Sequence, residues 1–450
     1  MRMREGGRRS AWLRAPVLVT SGFVAAILVG TIVLGLPQAV VAGRAPLNLL
    51  EALFTAASAI CVTGLAVVST AHELSGLGQG VVLALLQLGG LGVMTLAVLV
   101  FESLRNAVAQ ESGEVVSSTL GGGFWDGGPR SALKLLLGGT LLLELAGFLA
   151  LWPALAGEEQ AAWKALFLSV SAFCNAGFDN LGDGLRPYAG SAAVGLPLLL
   201  LWLAGGIGFL VPSALLRARR HRDRSLIPGA RMILIAGLAL ALAGPAIYAL
   251  CESFGGALDG YSAPQRAVLA LFQGNTTRTA GFSMVDLGEA RRITLLTMIP
   301  LMLLGGAPGG TAGGMKTTTA WIFLAAMMVR IRGQRDVVIL GRRIPAGIIR
   351  RSVLICSLIF VLHGLLALWL TAWEDPAAFS FEALAFEAAS AIGTVGLSTG
   401  ITPDLTAPSQ FALVLAMLVG RLGPLTLAYA FFRRLPDRPV RFARAEIPVG

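Results

Sequence analysis

The sequence predicts an all-α integral membrane protein built from four pseudo-repeats, and two observations predict it. Hydrophobic residues make up 55% of the 450-residue chain and charged residues only 13%, a balance unlike that of a soluble protein of this length. A short glycine-centred turn also recurs four times, with its glycines at intervals of 113, 104 and 115 residues. A repeat of this length indicates repeated architecture. The predicted unit is an outer helix, a re-entrant half-helix ending in the glycine turn, and an inner helix.

The four turns share a pattern around their glycines. A small polar residue lies six positions before each glycine, and an apolar residue follows it directly. The turns are 61–65, 174–178, 278–282 and 393–397, their glycines are Gly64, Gly177, Gly281 and Gly396, and the polar residues are Ser58, Ser171, Asn275 and Ser390.

Hydropathy divides the chain into eight spans and four half-helices. A spanning helix needs about 20 apolar residues, whereas a shorter apolar helix is allowed at membrane depth only where protein or a wet cavity satisfies its backbone. The predicted spans are 17–36, 80–101, 134–152, 191–216, 232–251, 293–329, 348–373 and 411–432, and the half-helices are 46–60, 161–173, 263–277 and 381–392. The predicted repeats are therefore 17–102, 131–216, 228–330 and 346–432.

Charge predicts the orientation of these units. The chain carries 35 basic and 25 acidic residues, and five segments at the termini and between the repeats hold 26 of the basic but only 9 of the acidic ones. These segments are 1–16, 101–134, 217–231, 330–351 and 433–450. The positive-inside rule makes them cytoplasmic, both termini included, so that the turns enter the cell (inner) membrane from outside. The net charge of +10 thus reflects orientation in the lipid bilayer, and we expect no nucleic-acid partner.

Four glycine turns around one axis suit a dehydrated cation. Backbone carbonyls can replace its water when successive residues point their oxygens inward, and glycine permits the backbone angles that this requires. Because each half-helix precedes its turn, its partly negative C-terminal end would face the pore. A single turn of this kind could be an ordinary connection, but four predict one selectivity filter around a central pore. Its predicted residues are Val62, Thr63, Gly64, Asn175, Ala176, Gly177, Thr279, Ala280, Gly281, Thr394, Val395 and Gly396.

A glycine-rich run in the third inner segment predicts a second functional element. No regular helix tolerates the density of glycine, with a proline, found at 305–319, so we expect an irregular loop across the pore below the filter. In the fourth inner helix Arg421 stands where the other repeats have small residues, and an intramembrane arginine is a functional candidate. A kink without a gating role and a packing arginine stay as alternatives. The predicted gating residues are Gly305, Gly306, Pro308, Gly309, Gly310, Thr311, Gly313, Gly314, Lys316 and Arg421.

The four turns, the 305–319 run and the segment 420–426 resemble the Ktr/Trk/HKT superfamily of potassium transporters, most closely its bacterial Ktr-type membrane subunit, over nearly the whole chain. The resemblance implies uptake of K⁺ bound at the filter carbonyls, with Na⁺ as an activator or co-ion and no cofactor. It implies a homodimer on a separate cytosolic RCK/KTN-type nucleotide-binding ring, which 217–224 and 330–343 could contact unless they only set topology. It also places Arg278 behind the filter.

Two details of the sequence bear on this resemblance. Plant relatives with serine at the first filter glycine select Na⁺, so Gly64 favours K⁺. The family often has serine at the positions of Ala307 and Gly310, and the loss of these hydroxyls predicts a looser closed loop.

Two other classes of protein compete with this interpretation. A Na⁺- or H⁺-coupled alternating-access symporter usually has two inverted repeats, whereas this chain has four in the same sense. An intramembrane hydrolase would need a second aspartate beside Asp183, but no span contains one and Asp183 lies in a predicted outer loop. We therefore predict that the chain is not an enzyme.

Overall fold

The computed structural model describes residues 3–111, 128–220, 227–253 and 255–424. Its first unit consists of outer helix 1 (Met3–Leu34), half-helix 1 (Leu49–Ile60) and inner helix 1 (Gly76–Glu111). The second consists of outer helix 2 (Gly128–Ala154), half-helix 2 (Ala161–Cys174) and an inner helix in two pieces, 2a (Ala192–Ile207) and 2b (Leu210–Arg220).

The third and fourth units repeat this order. The third consists of outer helix 3 (Ile227–Glu252), half-helix 3 (Ala263–Thr276) and an inner helix in two pieces, 3a (Arg292–Leu303) and 3b (Thr317–Ile331). The fourth consists of outer helix 4 (Ala346–Trp373), half-helix 4 (Phe381–Gly393) and inner helix 4 (Ala407–Leu422). A small antiparallel hairpin, Val338–Ile339 with Arg342–Arg343, precedes outer helix 4, and short 3₁₀ turns lie at Pro37–Ala39, Arg186–Tyr188 and Thr402–Asp404.

Three helices of the described residues are long and apolar enough to cross a membrane: Leu133–Ala154, Ile227–Glu252 and Ala346–Trp373. Inner helices 2a and 2b make a fourth span only if they count as one helix bent by 73°. The remaining apolar helical stretches of the described residues, such as Val19–Leu34 and Gly76–Gly92, have 10–17 residues, so the full set of eight spans stays a prediction. Each unit exposes large apolar side chains on its outer helix, for example Leu28, Leu142, Leu238 and Leu365, as expected for a surface in contact with lipid.

Two half-helices begin at capping boxes. The Asn48 side chain accepts a hydrogen bond from the Glu51 N–H while the Glu51 carboxylate accepts one from the Asn48 N–H, both at 2.9 Å. Ser262 and Gln265 make the corresponding box at half-helix 3. These contacts satisfy backbone donors that a helix start leaves free. Glu51 therefore holds the start of its helix.

The units pack in a closed cycle. Inner helix 1 packs on half-helix 2, inner helix 2a on half-helix 3, inner helix 3a on half-helix 4, and inner helix 4 on half-helix 1. The half-helices are consequently buried at the centre, and each has a fully buried C-terminal part. This arrangement brings the four turns that follow them to one axis.

Two inner helices depart from regular geometry. The sequence predicts a continuous second inner helix over 191–216, and this is wrong because the helix breaks at Gly208, whose φ is +69°. A Cβ there would lie 2.5 Å from the backbone of Gly309. The third inner helix is interrupted, as predicted, but over 304–316. The predicted loop 305–319 ends too late, because residues 317–319 already form the first turn of inner helix 3b. We call 304–316 the crossing loop. The predicted end of repeat 4 at 425–432 and the tail 433–450 lie outside the described residues, and the repeat boundaries stay predictions.

Candidate functional site

Each glycine turn contains two left-handed residues at the same positions. The glycine itself has a positive φ, and so does the residue two positions earlier. These earlier residues are Val62, Asn175, Thr279 and Thr394, with φ between 48° and 61°. The described residues include only six non-glycine positions with positive φ, and four of them are these. A β-branched residue in this region is strained, and such strain clusters at functional sites.

The four turn glycines pack against one another in a closed ring. A Cβ on Gly177 would lie 2.7 Å from the Cα of Gly281, and one on Gly281 would lie 3.2 Å from the Cα of Gly396. A Cβ on Gly396 would approach the Gly64 Cα to 3.1 Å, and one on Gly64 the Gly177 Cα to 3.1 Å. The ring thus leaves no room for side chains between neighbouring turns. The twelve predicted filter residues are brought together here.

Turns 1 and 4 are held by their half-helices in the same way. The Ser58 hydroxyl accepts a hydrogen bond from the Gly64 N–H at 3.1 Å, and the Ser390 hydroxyl accepts one from the Gly396 N–H at 3.0 Å. The carbonyl of each serine also accepts from the residue before the glycine, at 2.8 Å. The repeated polar residue therefore positions the glycine of its own turn.

Turns 2 and 3 use a different contact. The Ser171 hydroxyl donates to the carbonyl of Phe178 at 2.6 Å, and in the third unit the Thr276 hydroxyl donates to that of Phe282 at 2.7 Å. Asn275, the predicted equivalent of Ser171, instead donates to carbonyls outside the turn, those of Ala241 and Leu271. In turn 3 the contact therefore comes from the fifth residue before the glycine and not from the sixth, because spacing alone cannot show which side chain of a helix end faces the turn.

The segments that follow turns 3 and 4 are tied to buried polar side chains. Glu387 is fully buried, and its carboxylate accepts hydrogen bonds from the Ser398 hydroxyl at 2.7 Å, the Thr399 N–H at 3.0 Å and the Thr402 hydroxyl at 2.8 Å. In the third unit Gln273, also fully buried, donates to the Ser283 hydroxyl at 2.9 Å and accepts from the backbone. Sequence reasoning missed Gln273, although an amide within an apolar half-helix is a usable signal.

Arg278 lies behind turn 3. Its side chain is buried, and its guanidinium donates to the Gly237 carbonyl of outer helix 3 at 3.2 Å. It therefore contacts the surrounding helix rather than the outer solution.

The crossing loop docks on the break in the second inner helix. The Ala307 N–H donates to the Gly206 carbonyl at 2.9 Å, and the Thr311 N–H donates to the Gly205 carbonyl at 3.1 Å. A Cβ on Gly310 would lie 2.6 Å from the Gly206 oxygen. The glycines of the loop and those of the helix thus meet backbone to backbone, which explains why both segments are rich in this residue.

The crossing loop also contacts two of the turns. The Thr311 hydroxyl donates to the Asn175 side-chain oxygen of turn 2 at 2.7 Å. On the other side, a Cβ on Gly313 would collide with the Thr394 side chain of turn 4. The loop therefore lies directly against the inner side of the ring.

Two cationic side chains hold the loop. Arg421 is only 6% exposed, and its guanidinium donates to the Thr311 carbonyl of the loop and, at 2.8 Å, to the Gly89 carbonyl of inner helix 1. Lys316 donates to the Ala312 carbonyl at 2.5 Å. Arg421 thus connects the fourth unit to the first and third. The predicted gating residues 305–316 and Arg421 lie in one cluster.

Three hydroxyls of the turns are buried without a hydrogen-bond partner among the described residues: those of Thr63, Thr279 and Thr394. Buried polar groups are ordinarily paired with protein, water or an ion. None of the described His, Cys, Asp or Glu side chains form a group of three that could hold a metal ion. The three unpartnered hydroxyls are polar groups of the turns that are open to a further contact.

A cavity of about 200 Å³ opens on the other side of the ring. Its lining includes Gly64, Gly177 and Asp179. Burial raises the pKa of the Asp179 carboxyl to about 6, and the Leu181 N–H, which donates to it at 3.1 Å, opposes that shift. An ionised Asp179 would place a negative charge at the mouth of the ring.

The chain matches the family model TrkH, described as a cation transport protein, over residues 20–440. It is 35% identical to the Ktr system potassium uptake protein B of Bacillus subtilis (strain 168), with 98% of each chain covered. It is 31% identical to the potassium/sodium uptake protein NtpJ of Enterococcus hirae, with 92% of each covered. Among solved structures, it is similar to the crystal structure of the potassium transporter TrkH from Vibrio parahaemolyticus, with a TM-score of 0.68, 21% identity, and 92% of this chain and 85% of that chain covered.

Proposed function

Because the chain belongs to the TrkH family of cation transport proteins, we propose that it takes up K⁺ through one pore lined by its four glycine turns. Membership confirms the resemblance seen in the sequence, and with it the prediction of a multi-pass membrane transporter rather than an enzyme. The observation that carries the proposal of a single pore is the closed ring of glycines, with its left-handed residues repeated at the same positions of all four turns.

Selection in this pore depends on backbone oxygens. The alternation of left-handed and ordinary residues in each turn rotates successive carbonyls toward the axis, where they replace the water of a dehydrated ion. Each turn follows directly on the C-terminal end of its half-helix, for example Ile60 before turn 1. The partial negative charge of these four helix ends favours a cation at the ring.

Passage below the ring is limited by the crossing loop. Thr311 and Gly313 contact two turns, and the Arg421 guanidinium fixes the loop and adds a positive charge to the pathway. Conduction follows the membrane potential when the loop withdraws. Since no covalent step occurs, the protein contributes only binding, orientation and the height of this barrier.

The name of one relative supports a separate partner. The Bacillus protein is named Ktr system potassium uptake protein B, which is consistent with one protein of a larger system. In this proposal the partner is a separate cytosolic nucleotide-binding ring, and it regulates a homodimer of this chain. The Enterococcus protein is named for both potassium and sodium, which supports Na⁺ as activator or co-ion. Both termini lie on the cytoplasmic side in this proposal.

The test begins with growth at low K⁺ in a bacterium that lacks its own K⁺ uptake. The chain, with a regulatory partner supplied, should restore growth, and Gly64→Ser should admit Na⁺. Gly364→Ala is the control because a Cβ there meets no atom within 4 Å.

Vesicles distinguish a pore from a symporter. With Na⁺ and pH equal on both sides, an inside-negative potential alone should drive K⁺ uptake into vesicles holding the purified protein. Uptake that requires an inward Na⁺ or H⁺ gradient would overturn the pore and favour the alternating-access symporter.

A further inference from the structure

A groove lies between inner helix 3b and outer helix 4, away from the ring of turns. Its volume is about 690 Å³. Apolar side chains form most of its wall, among them Phe323, Met327, Val353 and Leu354. Met327, Val353 and Leu354 are exposed in the described part of the chain, so the groove lies open on the outer surface of the fold.

The groove has one cationic end. Arg330 is the penultimate residue of inner helix 3b, and Arg350 lies near the start of outer helix 4. The lining continues to Phe323 on one helix and Ser357 on the other. Both lie seven residues from the arginines, or about 10 Å along a helix. The groove is thus cationic at its cytoplasmic end and apolar along its length.

No described carboxylate neutralises these two arginines. The nearby Arg343 pairs with Asp336 at 2.9 Å, whereas Arg330 and Arg350 make no ion pair with any described residue, and no acidic residue lines the groove. Both side chains are exposed. Two free guanidinium groups at the end of an apolar groove favour an amphipathic anion.

We propose that this groove binds one anionic phospholipid. Its phosphate lies between Arg330 and Arg350, whose guanidinium groups suit phosphate oxygens, and an acyl chain lies along the apolar wall. A free phosphate would contact the two arginines but would make no use of the apolar wall. A second copy packed symmetrically would bring the same cationic ends together. The site rests on the proposed orientation, because the arginines must reach the headgroups of the cytoplasmic leaflet.

Native mass spectrometry of the full chain in detergent tests this proposal. The probe is an equimolar mixture of phosphatidylglycerol and phosphatidylcholine with identical acyl chains. The test variant is Arg330→Ala with Arg350→Ala. The matched control is Arg332→Ala with Arg342→Ala, which removes the same charge from the same segment but outside the groove. Val353→Trp fills the groove without changing the charge, and thermal unfolding confirms that each variant is folded.

We expect the wild type to retain phosphatidylglycerol over phosphatidylcholine by about 25-fold, since each of the two arginines near a headgroup contributes about fivefold to the binding of an anionic lipid. The double groove variant should lose this preference, the control should keep it, and Val353→Trp should retain less of both lipids. These results do not depend on K⁺ transport, so they separate this site from the pore.

Three outcomes would overturn the site. If both double variants lost the preference for phosphatidylglycerol equally, Arg330 and Arg350 would act only through the general positive charge of the surface. Displacement of the lipid by excess glycerol phosphate would indicate a site for a free phosphate. An intermolecular disulfide formed by Met327→Cys, without retained lipid, would show that a second copy fills the groove.

Discussion

The ring of turns and the crossing loop are both irregular backbone at the centre of the molecule, but they are stabilised differently. The ring consists of four equivalent turns, and each turn is held by short contacts within its own unit, such as that of Ser58 with Gly64. Among the described residues, the crossing loop occurs in the third unit only. It is held by contacts with other units, through Gly206, Asn175 and Arg421.

This difference fits a ring that stays fixed and a crossing loop that moves. Each turn is fixed by its own half-helix and by two neighbouring turns, so that displacing one disturbs the whole ring. The contacts of the crossing loop with other units are separate from those that hold the ring, which supports the proposal that the loop moves while the ring stays in place. The ring therefore suits selection, and the loop suits control of passage.

The largest effect should come from the ring. Gly281→Ala adds a Cβ that collides with the Val395 carbonyl at a φ of +78°. Strain of this kind costs about 1–3 kcal/mol, or up to about a hundredfold in the population of intact rings. We expect K⁺ uptake and the K⁺/Na⁺ permeability ratio to fall together in vesicle flux assays. Gly364→Ala serves as the control, and an unchanged ratio in Gly281→Ala would contradict the packing of the ring.

Arg421 tests the attachment of the loop. Arg421→Ala removes hydrogen bonds from the guanidinium to two carbonyls, each worth roughly 1.5–3 kcal/mol for a charged donor. We expect flux to rise about tenfold or more, since 1.4 kcal/mol is a factor of ten in the open fraction. Arg421→Lys keeps the charge but not the two-armed geometry. If it conducts like the wild type, charge alone sets the barrier and the attachment is not needed.

Glu387 tests how the ring is supported from behind. Glu387→Gln replaces an acceptor of three hydrogen bonds with a group that carries donors, leaving a buried mismatch of about 1–3 kcal/mol. The thermal unfolding midpoint should fall and the K⁺/Na⁺ ratio should drop a few-fold. Glu382→Gln is the control, because it makes the same carboxylate-to-amide change in the first turn of the same half-helix. Equal effects of the two substitutions would show that Glu387 has no special role.

The smallest effect should come from the cavity outside the ring. The Asp179 carboxyl, with its pKa raised to about 6 by burial, is ionised at pH 7 and neutral at pH 5. Its charge concentrates cations at the mouth, so uptake at low K⁺ should fall as the external pH drops through about 6, by on the order of twofold. Asp179→Asn should show the lower rate at both pH values. A wild-type pH profile retained by this variant would exclude Asp179 as the titrating group.

The repeated part of the molecule was the part that the sequence could predict. Gly64 and its three equivalents stand out because the same local geometry needs the same residues four times, and the interruption at 304–316 follows from the glycines themselves. The break at Gly208 was missed since its cause is the backbone of Gly309, about 100 residues away. The roles of Thr276 and Gln273 were missed for a related reason: which face of a half-helix meets its turn depends on packing between units.

The most direct test of the division between ring and loop is the K⁺/Na⁺ permeability ratio of a chain lacking 309–314, measured beside its K⁺ flux in the same vesicles. We expect a higher flux with the ratio of the wild type, since the ring keeps its own contacts. A flux that stays at the wild-type level, or a ratio that collapses with the deletion, would contradict it.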